Sequence, residues 1–123
     1  MAEAIYLHQR LIDEFGGAAG IRDLGLLESA LARPRSGYYS SLAEQGAALL
    51  QSLLLNHCFI DGNRRIAFTL TAAFFDLNGY TLQVPAKQTE TFLVKKVLDR
   101  KTEVGHIADW LGNHLRRKPH DDE

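Results

Sequence analysis

Cysteine is almost absent from the 123-residue chain. Cys58 stands alone, so no intramolecular disulfide can form and no CxxC-type metal site can be built. A single thiol is compatible with a reducing compartment. An excess of either charge is missing as well. Fourteen Lys and Arg residues face fifteen Asp and Glu, a formal net charge of −1. No global field therefore draws the protein to nucleic acid or to an anionic membrane, and any anion must be bound by a local cluster. No stretch approaches the roughly 20 apolar residues of a membrane span. The opening Met1-Ala2-Glu3-Ala4-Ile5-Tyr6 lacks the basic region and apolar run of a signal peptide, so a cytoplasmic location is expected. Internal repeats, low-complexity tracts and linkers are also lacking.

What is present reads as one globular unit. Hydrophobic residues make up 46% and charged residues 24%, both ordinary values. The length suits a single domain over residues 1–123 with one core and a frayed tail from about 119 to 123. Helical periodicity dominates. A helix is expected over Ile5–Phe15 with Leu7, Leu11, Ile12 and Phe15 on one face, stopped by Gly16-Gly17. Asp23 caps a short helix carrying Leu26, Leu27, Ala30 and Leu31, ended by Pro34. Ser41 and Glu44 form a capping box, opening a helix to about His57 with Leu42, Leu49, Leu50, Leu53 and Leu54 inside. The next helix starts near Asn63, runs through Ile66, Ala67, Leu70, Phe74 and Leu77, and is capped by Asn78-Gly79. Tyr80–Val84 alternates like a short extended piece limited by Pro85. Two further helices fit Thr89–Arg100 and Thr102 to about Leu115, the last with Val104, Ile107, Trp110 and Leu111 on one stripe. The expected fold class is all-α, with the two central helices as its core.

A polar cluster breaks the core sequence between those helices. Apolar chain runs to Leu55, then come Asn56, His57, Asp61, Gly62, Asn63, Arg64 and Arg65, and apolar chain resumes at Ile66. Phe59 and Ile60 are expected to anchor the turn, so that the polar groups converge on a cavity. The first turn of the helix at Asn63 leaves backbone N–H groups without intrahelical partners. The macrodipole makes that end positive and receptive to anions. Gly62 allows a ligand close to its backbone. Arg64 and Arg65 have the wrong sign for a first turn, where cations lose about 0.3–1 kcal/mol each. An external anion is the natural counterpart, and a di- or triphosphate matches guanidinium forks. Asp61, a carboxylate beside a polyphosphate, suits a magnesium ion. His57 is placed to take a proton from a hydroxyl. Asn63 can donate to phosphate or cap its own helix. Taken singly each has a plainer reading: Asp61 an N-cap, Gly62 and Asn63 a turn, the arginines a solvated face, His57 a half-buried histidine, Cys58 a small packing residue. Their concurrence within nine residues of apolar chain favours a site.

The segment His57-Cys58-Phe59-Ile60-Asp61-Gly62-Asn63-Arg64-Arg65 resembles the Fic/Doc motif His-x-Phe-x-(Asp/Asn/Glu)-(Ala/Gly)-Asn-(Gly/Lys)-Arg, matching at His57, Phe59, Asp61, Gly62, Asn63 and Arg65. The stretch Gly20–Leu31 is similar to one typical of Doc (death-on-curing) proteins. The resemblance implies a single-domain Fic fold whose central helix–loop–helix carries the motif. It implies His57 as general base, Asp61 as the magnesium-holding carboxylate, Gly62 and Asn63 as the anion nest, and Arg65 as a phosphate ligand. Position 64 is usually glycine in AMP-transferring Fic enzymes and lysine in Doc kinases. Arg64 keeps the charge and bulk of the Doc type, so phosphoryl transfer from ATP is expected, with AMP transfer or an inactive Fic-fold binding module as alternatives. Doc-like proteins are toxins that phosphorylate elongation factor Tu, and a separate antitoxin neutralises them. A translation factor and a cognate antitoxin are therefore the expected partners, with no membrane and no direct nucleic acid. The resemblance implies a target-positioning flap near the loop Ser36–Ser40, with Tyr38 and Tyr39 as candidate contacts, although surface packing is the plainer and favoured reading of both. The basic end His114–Lys118 reads as a solvated helix end.

Overall fold

Residues 1–98 and 102–119 are described by a computed structural model of the chain. Helix α1 covers Ala2–Phe15 and buries Ala4, His8 and Ile12. Gly16 and Gly17 end it with φ of 88° and 115°, a backbone that side chains disfavour. Helix α2 covers Leu24–Ala32, and the Asp23 side chain accepts from the Leu26 N–H at 3.0 Å as its N-cap. Pro34 follows in a 3-10 turn over Arg33–Arg35. Helix α3 covers Leu42–Leu55. Ser41 Oγ accepts from the Glu44 N–H at 3.1 Å and donates to Glu44 Oε1 at 2.9 Å. The glutamate thus returns to the capping hydroxyl rather than to the backbone. Helix α4 covers Asn63–Leu77, and Asn78 Nδ2 donates to the Phe74 carbonyl at 2.7 Å to close its end.

The two central helices form the core as their composition implies. Helix α3 buries Gly46 to Leu50 and Ser52 to Leu54, and α2, α4 and α6 all pack against it. Helix α4 contributes Ile66, Ala67, Leu70, Thr71 and Phe75. Leu77, expected on the core stripe, is 86% exposed. It is the last residue of its helix, where the chain turns away through Asn78-Gly79.

The C-terminal third departs most from the expected elements. Strand β1 covers Tyr80–Leu82 and pairs antiparallel with β2, Leu115–Arg117, with Tyr80 opposite Arg117 and Leu82 opposite Leu115. The last helix, α6, covers Val104–Gly112 rather than reaching Leu115. The basic end is therefore a strand, not a solvated helix end. It pairs with ladder groups that β1 would otherwise leave open, and Lys118 Nζ meets Asp76 Oδ1 at 2.7 Å. The helix expected over Thr89–Arg100 is a short α5, Ala86–Thr91, that widens into a π-helical turn over Phe92–Leu98. Arg100 and the expected tail from 120 onward lie outside the described residues. The fold remains all-α apart from this two-stranded ribbon. Among the described residues, no helix is long and apolar enough to cross a membrane.

Two helical glycines separate space from propensity. A Cβ on Gly46 would overlap the fully buried Phe75 ring. One on Gly105, in the first turn of α6, would meet nothing within 4 Å. Gly46→Ala should destabilise by about 1–3 kcal/mol despite its better helix propensity. Gly105→Ala should be neutral or stabilise by up to about 1 kcal/mol. Urea unfolding of both variants checks the pair, and a stabilised Gly46→Ala would contradict the close approach of α3 to Phe75.

Candidate active site

Helix α3 ends at Leu55, short of the expected His57, because the chain leaves helical geometry there. His57 has φ 48°, a left-handed conformation that costs a non-glycine residue roughly 1–2 kcal/mol. Arg22 compensates. Its Nε donates to the His57 carbonyl at 2.8 Å and its Nη2 to the Asn56 carbonyl at 3.3 Å, satisfying acceptors that a helix end sets free. The Cys58 carbonyl accepts from the backbone N–H groups of Arg22 and Asp23 at 2.8 and 3.1 Å. Ile60 N–H donates to the Gly20 carbonyl at 3.1 Å, and Ile21 forms an antiparallel bridge with Phe59. The glycine-rich loop after α1 is thus a template for the loop between α3 and α4.

Phe59 is the anchor of that loop. It is 1% exposed and stacks on the buried His8 ring, with centroids 3.9 Å apart. His8 Nε2 is 2.7 Å from the Asp61 carbonyl oxygen. A carbonyl only accepts, so the proton sits on Nε2. Asn63 clamps the same residue from the other side. Its Oδ1 accepts from the Phe59 N–H at 3.0 Å, and its Nδ2 donates to the Phe59 carbonyl at 2.9 Å. The Asn63 side chain is therefore spent on shaping the loop, and its backbone N–H is what it offers at the start of α4.

Gly62 enters α4 in the left-handed conformation, φ 74°, and no side chain caps the helix. Asp61, whose plainest reading was an N-cap, instead spreads its carboxylate over two loops. Oδ2 accepts from the Ala18 N–H at 3.1 Å and Oδ1 from the Gly62 N–H at 2.8 Å. Those two backbone donors hold its carboxyl below the usual carboxylate range, with smaller help from His8 and Arg65. Each oxygen keeps a lone pair for a further partner. Among the described residues, no cluster of three His, Cys, Asp or Glu side chains could hold a metal unaided. A cation here would need ligand oxygens beside Asp61, as magnesium on a polyphosphate does.

His57, Asp61, Gly62, Asn63, Arg64 and Arg65 all line one cleft of about 490 Å³. Leu54, Ile60 and Glu90 complete its wall. Arg64 Nη1 meets Glu90 Oε1 at 2.9 Å, and both side chains are exposed. The Arg65 guanidinium lies 4.6 Å from the centre of the Phe15 ring, a cation–π contact. Tyr38 and Tyr39 are not among the lining residues. Tyr38 is 83% exposed, and the Tyr39 hydroxyl accepts from Arg33 Nε and Nη2 at 3.0 and 2.7 Å. Cys58 is fully buried, as a packing residue should be, and burial pushes its thiol pKa up.

The Fic/DOC family model matches residues 1–75, which include the whole of this loop and its template. The chain belongs to the Fic/DOC family. The Toxin Doc of Mycolicibacterium smegmatis is 44% identical over 73 residues, covering 55% of this chain and 56% of that toxin. The chain thus spans about half the length of that curated relative. Glu90 and the groups beyond β1 lie outside the Fic/DOC match.

Three contributors were not singled out from sequence. His8 sits on the face of Ala4 and Ile12, and that i, i+4 spacing is the signal that it points inward. Arg22 sits in an exposed loop and carries no local signal. Glu90 meets Arg64 only through the tertiary fold.

Asp61 links the site to stability. Its folded pKa is depressed, so its contribution is present above the unfolded carboxyl value of about 3.9 and is lost as pH falls through the lower folded value. The stability gap between wild type and Asp61→Asn should be open at pH 7 and close in acid. Denaturant melts across that range measure it, and a gap that stays constant would remove the two backbone contacts from the account.

Proposed function

We propose that this chain is a Doc-like toxin that acts in the cytoplasm and transfers a phosphoryl group from ATP to a serine or threonine hydroxyl of a translation factor. Elongation factor Tu is the target by family resemblance, and a separate antitoxin is the partner that restrains the activity. The observation that carries the reading is the convergence of His57, Asp61, Arg64 and Arg65 on one cleft at the uncapped start of α4.

The first-turn N–H groups of α4 and the two guanidiniums take the polyphosphate oxygens. Among the described residues the partner of Arg65 is an aromatic face, which leaves its N–H donors available for phosphate. Arg64 must leave Glu90, an exposed pair of small worth. Asp61 stays ionised at neutral pH and would hold magnesium against the phosphates; when bound, that ion offsets phosphate charge. His57 accepts the proton of the attacking hydroxyl as its oxygen bonds to the γ-phosphorus, the bond to the β-phosphate oxygen breaks, and ADP departs. The chain's contribution is positioning and charge stabilisation. The bulk and charge of Arg64 at the helix start favour a phosphoryl group over AMP as the group transferred.

His57→Ala should abolish target modification and growth arrest while the protein keeps its melting transition. Arg65→Ala should lose nucleotide affinity through lost phosphate contacts. Glu90→Gln should strengthen ATP binding a few-fold by freeing Arg64. Mass spectrometry of the treated target separates phosphate from AMP. A folded His57→Ala protein that arrests growth as strongly as wild type would defeat the assignment.

A further inference from the structure

A second concavity shares no lining residue with the His57 cleft. It is a groove of about 1020 Å³ formed by α5, the π-helical turn and α6. Its floor is apolar, built on Phe92 and Trp110, whose rings stack with centroids 4.0 Å apart and planes within 1° of parallel. Lys87, Lys96 and His106 stand among its lining residues, and among the described residues no carboxylate does. The floor also contains backbone that departs from α-helical bonding. A π-helical turn replaces i→i+4 bonds with i→i+5 bonds, is rare overall, and is found frequently at functional sites.

We propose that this groove docks an acidic segment of a partner protein, with an apolar side chain set against the Phe92–Trp110 stack and carboxylates on Lys87 and Lys96. Charge complementarity selects the occupant: cations on an apolar floor, in a chain whose net charge is −1, form a local field rather than a general one. A single-stranded nucleic acid fits less well. It needs open aromatic faces for its bases, whereas the Trp110 ring is stacked by Phe92 and has His114 tilted against it at 4.6 Å. The docking is independent of the phosphoryl-transfer reading, since none of the cleft residues takes part.

Trp110 is the sole tryptophan of the chain, so it reports occupancy directly. Selection of a random-peptide library on the full-length protein should enrich acidic sequences carrying leucine or phenylalanine. Titrating an enriched peptide should change Trp110 emission saturably, and binding should weaken as salt rises. The double variant Lys87→Glu and Lys96→Glu should lose roughly tenfold or more in affinity, because like charge then faces the peptide. Both lysines are exposed, and the milder Lys87→Gln and Lys96→Gln pair should show a smaller loss of the same sign. His57→Ala should bind the peptide as wild type does, which separates failure of this proposal from failure of the catalytic one. Enrichment of basic or uncharged peptides, no enrichment, an unchanged Trp110 signal, or equal binding by the charge-reversed variant would each overturn it. So would a self-associated state in solution whose interface covers the groove.

Discussion

The loop between α3 and α4 has no regular structure of its own, and the cleft exists because the backbone of the glycine-rich loop after α1 holds it in register. Arg22 neutralises the end of α3, the Gly20 and Ile21 backbone pairs with Ile60 and Phe59, and the Ala18 N–H fixes the Asp61 carboxylate. Gly17 shows how tight that fit is. A Cβ there would lie 2.7 Å from Asp61 Oδ2, and its φ of 115° is closed to most side chains. The chemistry-bearing residues are contiguous in sequence, but their geometry is imposed from forty residues upstream.

Electrostatics at the cleft follow from one asymmetry. The start of α4 carries a positive helix end and two arginines with no acid in its first turn. The protein tolerates this by assigning each cation a modest partner, Glu90 for Arg64 and the Phe15 ring for Arg65. Both are weak partners, an exposed ion pair and an aromatic face. Asp61, the nearby acid, has its carboxylate satisfied by backbone donors instead of by the arginines.

The helices were legible because apolar spacing and caps are local signals. Asp23, Ser41 and Asn78-Gly79 each act where their chemistry placed them. The six residues read as a site do share a cleft for the same reason, since they occupy consecutive turns around one helix start. Misreadings came where non-local contacts decide. The end of α6 gives way to β2 because β1 needs a ladder partner, a demand invisible within residues 102–118. The π-helical turn has no sequence signature, and α3 ends early because Arg22 stabilises a left-handed His57. Tyr39 accepts from Arg33, whose guanidinium also ties the loop to Gln51 and Ser52 of α3, a packing role that the sequence does not spell out.

The templating bonds reach far along the chain. His8 to Asp61 spans 53 positions, Ala18 to Asp61 43, and Arg22 to His57 35. Closing loops of that length costs chain entropy that the local bonds of a helix do not. A chain emerging from the ribosome presents the templating loop first and the motif loop second, so the first waits some forty residues for its partner. A nascent or partly unfolded chain therefore holds all the motif residues without the cleft that they line in the folded one.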